Sequence, residues 1–535
     1  MPSWVILIPL LLPIAAALAI FVLERFRPNF GLAWLMAILA STIDWGLLLV
    51  LRLRTPAPLQ VADWLPFTVQ MDDRLLLQVD GISWPLAFSL ATLLMAVILT
   101  APVRLGQKSY PIAWASNLFI TAMGMVGVLS GNLITLLLVW SLIDFVELVV
   151  MLRTVNEPRL NTQVVVAFIV RVSGTIVALS AFIVGKNLDL TSEVSPFPQA
   201  SILLLVAAGL RLGILPLNLP YRQEIQMRRG VGTLLRMASS ATSLVLLARL
   251  NPTQLPTGWM NFLLFGTAIG TLYAASMWAG ATNELNGRPY WVVATAGLAI
   301  ACVINGSPIS SLVWSTAMIL YGSVLFLYSA RARFSLALPI LAALAMSGLP
   351  FTPTAYGWPG LLGDTFNLFD MAMILAVALL IVGLVRHAMA PGEALKNMQG
   401  WIQVAYPLGL VLLVGSGWLI AVIGPDGFFT AGRWPASLAA VLLAIGWIAA
   451  ILYQRLLVHM KERLAWLDSL LRAIARWMVS FFSFRWLYSV LQDFMELLRR
   501  LVNSLSLILE GEGGVLWALV LLALLLTVLI PGTGH

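Results

Sequence analysis

The sequence predicts an all-α polytopic membrane protein of about fifteen or sixteen transmembrane helices, and three observations predict it. The 535 residues are 60% hydrophobic and only 10% charged, with a mean hydropathy of +0.95, whereas a soluble domain carries about 25% charged residues. The apolar residues fall in repeated runs of roughly 20, the length needed to cross a bilayer as a helix. These runs do not alternate apolar with polar residues as barrel strands do, and in hydrocarbon only helices and closed barrels satisfy their backbone groups.

Taken in order, spans are predicted near 4–24, 31–52, 82–103, 111–130, 132–152, 162–184, 200–219, 230–250, 258–280, 289–306, 309–329, 334–350, 364–388, 404–424, 436–456 and 513–531. The first run has no basic segment before it and no small-residue cleavage site after it, so it reads as a span rather than a signal peptide. Lys and Arg test the count, because a missed span would scramble their alternation between sides. One set of loops holds Arg25, Arg27, Arg104, Lys108, Arg153, Arg159, Arg222, Arg228, Arg229, Arg288, Arg331, Arg333, Arg386 and Lys396. The other set holds Arg52, Arg54, Arg74, Lys186, Arg249 and Arg433. The richer set is expected in the cytoplasm of a cell (inner or plasma) membrane, with the N-terminus outside. The excess of basic residues, net +8, is scattered over short loops and forms no nucleic-acid-binding stripe.

Two segments do not read as spans. Within 53–81, alternating runs (Phe67, Val69, Met71; Leu75, Leu77, Val79) flank Asp72 and Asp73 and suggest an exterior hairpin. Residues 457–509 place apolar and aromatic residues every three or four positions, with arginines at their borders. This pattern predicts a lateral amphipathic helix, in the interface plane or against a partner, ahead of the last span. Two spans are broken at corresponding places, by Gly209, Pro216 and Pro220 in one and by Gly348 and Pro350 in the other. Interrupted helices five spans apart point to two inverted repeats, 111–250 and 258–388. The N-terminal spans (1–110) precede them and the spans of 404–456 follow.

An ionisable side chain inside a span costs at least about 2.5–3.5 kcal/mol at the bilayer centre, so it marks a polar interior. Such groups cluster in the first half of the chain. Asp144 and Glu147 share one face of the fifth span, while Arg171, Arg211 and Arg236 lie in the sixth, seventh and eighth. The carboxylates are candidate proton-exchanging groups. The alternative is that they pair permanently with arginines and glue helices together. Arginine does not deprotonate in proteins and polarises a path without passing on a proton. From Tyr290 to Tyr328 no Lys, His, Asp or Glu occurs, and Asp364 and Asp370 are the next acids. There, Thr316, Tyr321, Tyr328 and Ser347 are what remains to line a hydrated route. The lone histidines His387 and His459 read as surface residues, and Cys302 as a small packing residue. No metal-ligand cluster, cofactor-binding loop or nucleophile with an oriented base is evident.

Several landmarks together resemble the antiporter-like membrane subunits of respiratory complex I (NADH-quinone oxidoreductase) and of multisubunit cation/proton antiporters. They are Leu77 to Ser83 (LQVDGIS) before the third span, Asn132 to Trp140 (NLITLLLVW) in the fifth, Arg171 to Gly174 (RVSG) in the sixth, the break from Arg211 to Pro220, and Ser347 to Pro350 (SGLP) in the twelfth. The long lateral helix followed by a last span is also similar. The departures fall on chemistry. The family's glutamate follows the fifth-span tryptophan, where this chain has Ser141. Its lysines align with Arg211 and Arg236, its eleventh-span histidine falls near Trp314, and the charged residue after the twelfth-span break falls near Gly363 and Asp364.

The resemblance implies a non-redox membrane subunit of a multisubunit complex, in contact with lipid and other membrane subunits, that contributes to translocation of protons or monovalent cations through Asp144, Glu147, Arg171, Arg211, Arg236 and Asp364. A non-conducting scaffold subunit of the same kind of assembly accounts for the missing lysines and histidine. An independent secondary transporter is a third reading.

Overall fold

The computed structural model describes residues 2–27, 32–63, 74–104, 111–154, 158–185, 198–218, 227–250, 257–331, 334–363, 366–425 and 428–452, with Ala473, Glu496 and Arg500 in addition. The chain divides into two units, Met1–Val458 and His459–His535. In the second unit the described contact is an exposed Arg500–Glu496 pair at 3.6 Å, one helical turn apart. The lateral-helix segment, His459 and the sixteenth predicted span otherwise lie outside the described residues.

The first unit is helical: α1 (Ile8–Phe26), α2 (Ala33–Leu53), α3 (Ser83–Thr100), α4 (Pro111–Val128), α5 (Leu133–Thr154), α6 (Pro158–Gly185), α7 (Pro198–Leu212), α8 (Arg229–Arg249), α9 (Thr257–Gly280), α10 (Glu284–Ile304), α11 (Pro308–Leu327), α12 (Ala337–Met346), the short α13 (Gly357–Leu361), α14 (Leu368–Ala388), α15 (Gly400–Ile423) and α16 (Trp434–Leu452). Twelve helices, among the described residues, are long and apolar enough to span a bilayer, and three shorter apolar ones, around α7, α12 and α16, fill the remaining predicted places. The first fifteen predicted spans are thus all present as helices.

Apolar residues face outward as well as inward. On α6, Ile169, Ile176 and Ile183 are exposed at a spacing that keeps them on one face, and Leu11, Leu18 and Phe21 are exposed on α1. Water would penalise such bands, whereas lipid accommodates them. Helices α3, α8, α10 and α11 are almost wholly enclosed. Small residues let their neighbours close in: a Cβ on Gly124 of α4 would stand 2.8 Å from that of Ala238 on α8, as small-residue membrane interfaces require.

In the run α4–α8 the fourth helix, α7, is short, and in the run α9–α14 the same place is taken by α12 and α13. Both breaks turn on a glycine in the left-handed region, Gly213 (φ 78°) and Gly348 (φ 68°), where a side chain is disfavoured. Beyond the end of α7 the Gly209 carbonyl accepts from the N–H groups of both Ile214 (2.9 Å) and Leu215 (3.2 Å). Pro216 and Pro350 sit within the breaks, while Pro220 lies outside the described residues.

Three predicted details change. The hairpin pairs β1 (Leu59–Asp63) with β2 (Arg74–Leu77), so its first strand comes before the alternating residues Phe67 to Met71, which lie outside the described residues. Arg288, assigned to a loop because Pro289 reads as a helix start, lies inside α10 and is fully buried. The helix begins earlier because Asn283 caps it, accepting from the Asn286 N–H at 2.8 Å. His387 is buried rather than on the surface, donating from Nε2 to the Trp278 carbonyl at 3.2 Å.

The LQVDGIS segment anchors α3. Asp80 accepts the N–H groups of Ile82 (3.0 Å) and Ser83 (2.7 Å) on Oδ1 and pairs through Oδ2 with Arg249 at the end of α8 (2.8 Å). Burial pushes its carboxyl up, but the Arg249 charge and the Ser83 hydrogen bonds outweigh it and hold the group below the ordinary carboxylate value. A depressed folded-state value means that the stabilisation is complete above the unfolded value, about 3.9. It is lost as pH falls through the lower folded value. Asp80→Asn keeps the cap oxygen but removes the charge, so thermal melts across acid pH should show a shallower loss of stability than the wild type. Identical acid limbs would contradict the assignment.

Candidate functional site

The buried charges come together where α5, α6, α7 and α8 meet. Asp144 and Glu147, three residues apart on α5, project from the same face and are 1% and 6% exposed. Across from them, Arg171 and Thr175 stand one turn apart on α6, and Arg211 sits in the last turn of α7 before the break. On α8, Arg236, Ser239 and Ser243 recur at helical spacing along one face.

The pairing is specific. Arg211 grips Asp144 with both terminal nitrogens, Nη1 to Oδ2 at 2.5 Å and Nη2 to Oδ1 at 2.9 Å, the fork geometry that makes such pairs strong. Its Nε donates to Ser243 Oγ (3.3 Å) and its Nη1 to Thr175 Oγ1 (3.0 Å). The guanidinium lies over the Trp140 ring at 4.2 Å. Arg236 Nη1 donates to Glu147 Oε1 at 2.8 Å. Arg171 bridges the two halves: its Nη1 donates to Glu147 Oε2 and to Ser239 Oγ (2.9 Å), and stands 3.5 Å from Asp144 Oδ1. With every group ionised, three guanidiniums face two carboxylates and leave one formal positive charge.

Gly174, one turn after Arg171, makes this geometry possible, since a Cβ there would stand 2.8 Å from Arg211 Cγ and 2.9 Å from the Ala207 carbonyl. Two small cavities flank the network. One of about 30 Å³ is lined by Arg171, Arg211, Arg236, Asn218 and Ser240, and one of about 20 Å³ by Asp144, Glu147, Arg171, Arg236 and Met151. Roughly 10–15 Å³ is enough for one water, so each can hold one or two.

All five predicted first-half residues, Asp144, Glu147, Arg171, Arg211 and Arg236, therefore meet in one cluster. Asp364 lies outside the described residues. Asp370 is drawn into local structure instead, closing a capping box with Asn367 at the start of α14 and accepting from Gly363 N at 3.1 Å. In the second half the corresponding interior is filled by indoles. Trp278, Trp291, Trp314 and Trp358 are all fully buried. The first three donate to main-chain carbonyls of Leu380 (3.1 Å), Met318 (3.0 Å) and Gly357 (3.1 Å). Cys302 packs there as expected, its Sγ 3.7 Å from the Gly357 carbonyl. Sequence reasoning missed this packing, although the pairing of Trp with Gly along these helices carried the signal. A Cβ on Gly357 would stand 2.7 Å from Trp314 Nε1, and one on Gly322 or Gly383 would run into Trp291 or Trp278.

Fold and site together define a polytopic helical membrane protein with an ion-paired cluster buried between spans. No family model and no curated protein matches the sequence, but solved membrane complexes contain chains of the same fold. A chain of the Mrp complex from Dietzia sp. DQ12-45-1b superposes with a TM-score of 0.66 at 16% identity, over 93% of this chain and 63% of that one; this chain thus spans under two thirds of that chain's length. A chain of respiratory complex I from Thermus thermophilus with bound NADH gives 0.63 at 18% identity, over 82% and 99%. A chain of the membrane-bound sulfane sulfur reductase, an archaeal respiratory membrane complex, gives 0.66 at 15% identity, over 98% and 100%. The protein has the antiporter-like fold found in these complexes.

Proposed function

We propose that the chain is a membrane subunit of a complex I-like or multisubunit antiporter-like assembly, and that it contributes to proton movement through the cluster in its first repeat. The observation that carries this reading is that two buried carboxylates line one water-sized cavity and that Arg171 and Arg236, paired with them, also line a second. In this reading Asp144 and Glu147 exchange protons, and Arg171, Arg211 and Arg236 set how readily they do so. A proton arriving on Asp144 abolishes the charge that Arg211 grips, which frees the guanidinium without deprotonating it. The two runs α4–α8 and α9–α14 act as inverted repeats, with the basic loops on the cytoplasmic side and the N-terminus outside. Neighbouring membrane subunits carry any redox chemistry.

The test is proton flux in vesicles that contain the whole assembly. Asp144→Asn combined with Glu147→Gln should lower flux at least about a hundredfold, the low end of what positioned proton-transfer groups contribute. Unchanged flux in an intact complex excludes the pair as the route. One observation favours a non-conducting scaffold instead: the indole-filled second repeat offers no Lys, His, Asp or Glu between Tyr290 and Tyr328. Under that reading the double variant leaves flux untouched.

A further inference from the structure

Asp44 stands near the middle of α2, about 15 Å along the helix from either end at ~1.5 Å per residue. It is fully buried, and among the described residues neither carboxyl oxygen has a hydrogen-bond partner. The side-chain donors of α2 and of α3, which packs against it, are committed elsewhere. Ser41 and Thr42 donate to the Ile38 carbonyl at 3.0 and 2.7 Å. Trp45 donates to Thr92 Oγ1 (3.0 Å), Trp34 to the Ile98 carbonyl (3.0 Å) and Trp84 to the Leu48 carbonyl (2.7 Å).

The elements packed most closely on α2 are α1, α3 and α4. Among described residues their charged groups, Glu24 and Arg25 on α1 and Arg104 after α3, lie at helix ends, as does Arg52 on α2 itself, and α4 has none. An isolated carboxylate buried without donors or counter-charge is far more costly than a neutral acid, so the group takes up a proton. A bare metal or alkali cation needs several oxygens at once, and no group of three or more His, Cys, Asp or Glu side chains suited to a metal occurs among the described residues.

We propose that Asp44 is a proton-binding site: a carboxylic acid that holds its proton in this conformation and forms an ionisable locus separate from the Asp144–Glu147 cluster. None of the five cluster residues is on an element that packs closely on α2. The inference does not rest on the flux reading, because its readout is the bound proton itself.

The experiment is infrared spectroscopy of the full chain in lipid at neutral pH, in H2O and D2O. The wild type should show a carboxylic-acid carbonyl band that shifts in D2O, is absent in Asp44→Asn and persists in Asp144→Asn. Asp44→Asn, which mimics the neutral acid, should keep the wild-type melting midpoint. If that variant does not fold, Asp44→Glu retains an acid and should move the band to a new frequency. A wild-type spectrum without the band, or a band unmoved by either Asp44 substitution, overturns the proposal.

Discussion

Arg211→Ala is expected to destabilise the folded chain by about 3–5 kcal/mol, the usual cost of removing one partner of a buried ion pair. The alanine leaves Asp144 facing Arg171 at 3.5 Å in place of a two-pronged contact at 2.5 and 2.9 Å. It also removes the cation stacked on Trp140 and the hydrogen bonds to Ser243 and Thr175. Removing both partners differs in kind: Arg211→Leu with Asp144→Leu takes away one charge of each sign and leaves the net charge of the cluster unchanged, and such paired replacements are often neutral or stabilising. A double-mutant cycle read from denaturant unfolding in micelles should therefore give a coupling well above the roughly 0–1 kcal/mol of an exposed pair. Additive losses would mean that the two groups do not depend on each other. Arg211→Lys should fall between, since an ammonium keeps the charge but loses the fork and the planar stack.

How much of this was legible in the sequence depends on the range of the signal. The spans were legible because their cause is local: about twenty apolar residues in a row need no tertiary knowledge. Asp144 and Glu147 were legible as a pair because three residues place side chains on one face, and the arginines because charges inside spans are conspicuous. Which arginine meets which carboxylate was not legible, since Arg171, Arg211 and Arg236 lie on three helices and partner choice depends on their packing. Permanent pairing, the weighed alternative, describes the resting geometry, and proton exchange remains the proposal built on it. Asp44 was overlooked although the rule that flagged Asp144, an acid in the middle of a span, applies to it equally. Arg288 was misplaced because Pro289 reads as a boundary, whereas α10 carries Pro289 inside it, five residues after its first residue Glu284. His387 read as a surface residue from its place at a helix end, but α9 supplies the carbonyl and ring that cover it.

The indole core of the second half yields the other large effect. Trp278 is fully buried, donates to the Leu380 carbonyl at 3.1 Å and packs edge-on against Trp291 at 5.3 Å and Phe326 at 6.0 Å. His387 lies 4.7 Å from its ring. Two glycines make its seat: a Cβ on Gly287 would stand 2.5 Å from the ring, and one on Gly383 would meet its nitrogen. In water a Trp→Ala change costs about 3–5 kcal/mol. Here the unfolded reference keeps the side chain in lipid, so the transfer part shrinks while the cavity and the lost hydrogen bond remain. Trp278→Ala should accordingly cost about 3 kcal/mol, measured by the same unfolding assay, and Trp278→Phe less, because it refills most of the volume. Proton flux separates the two functional readings at this position. If the second half is a dry plug beside a working first half, opening a cavity here leaves coupled flux near wild type as long as the assembly stays intact. If protons pass through the second half on water, widening it should raise flux, and that result would remove the confinement of the route to the first repeat.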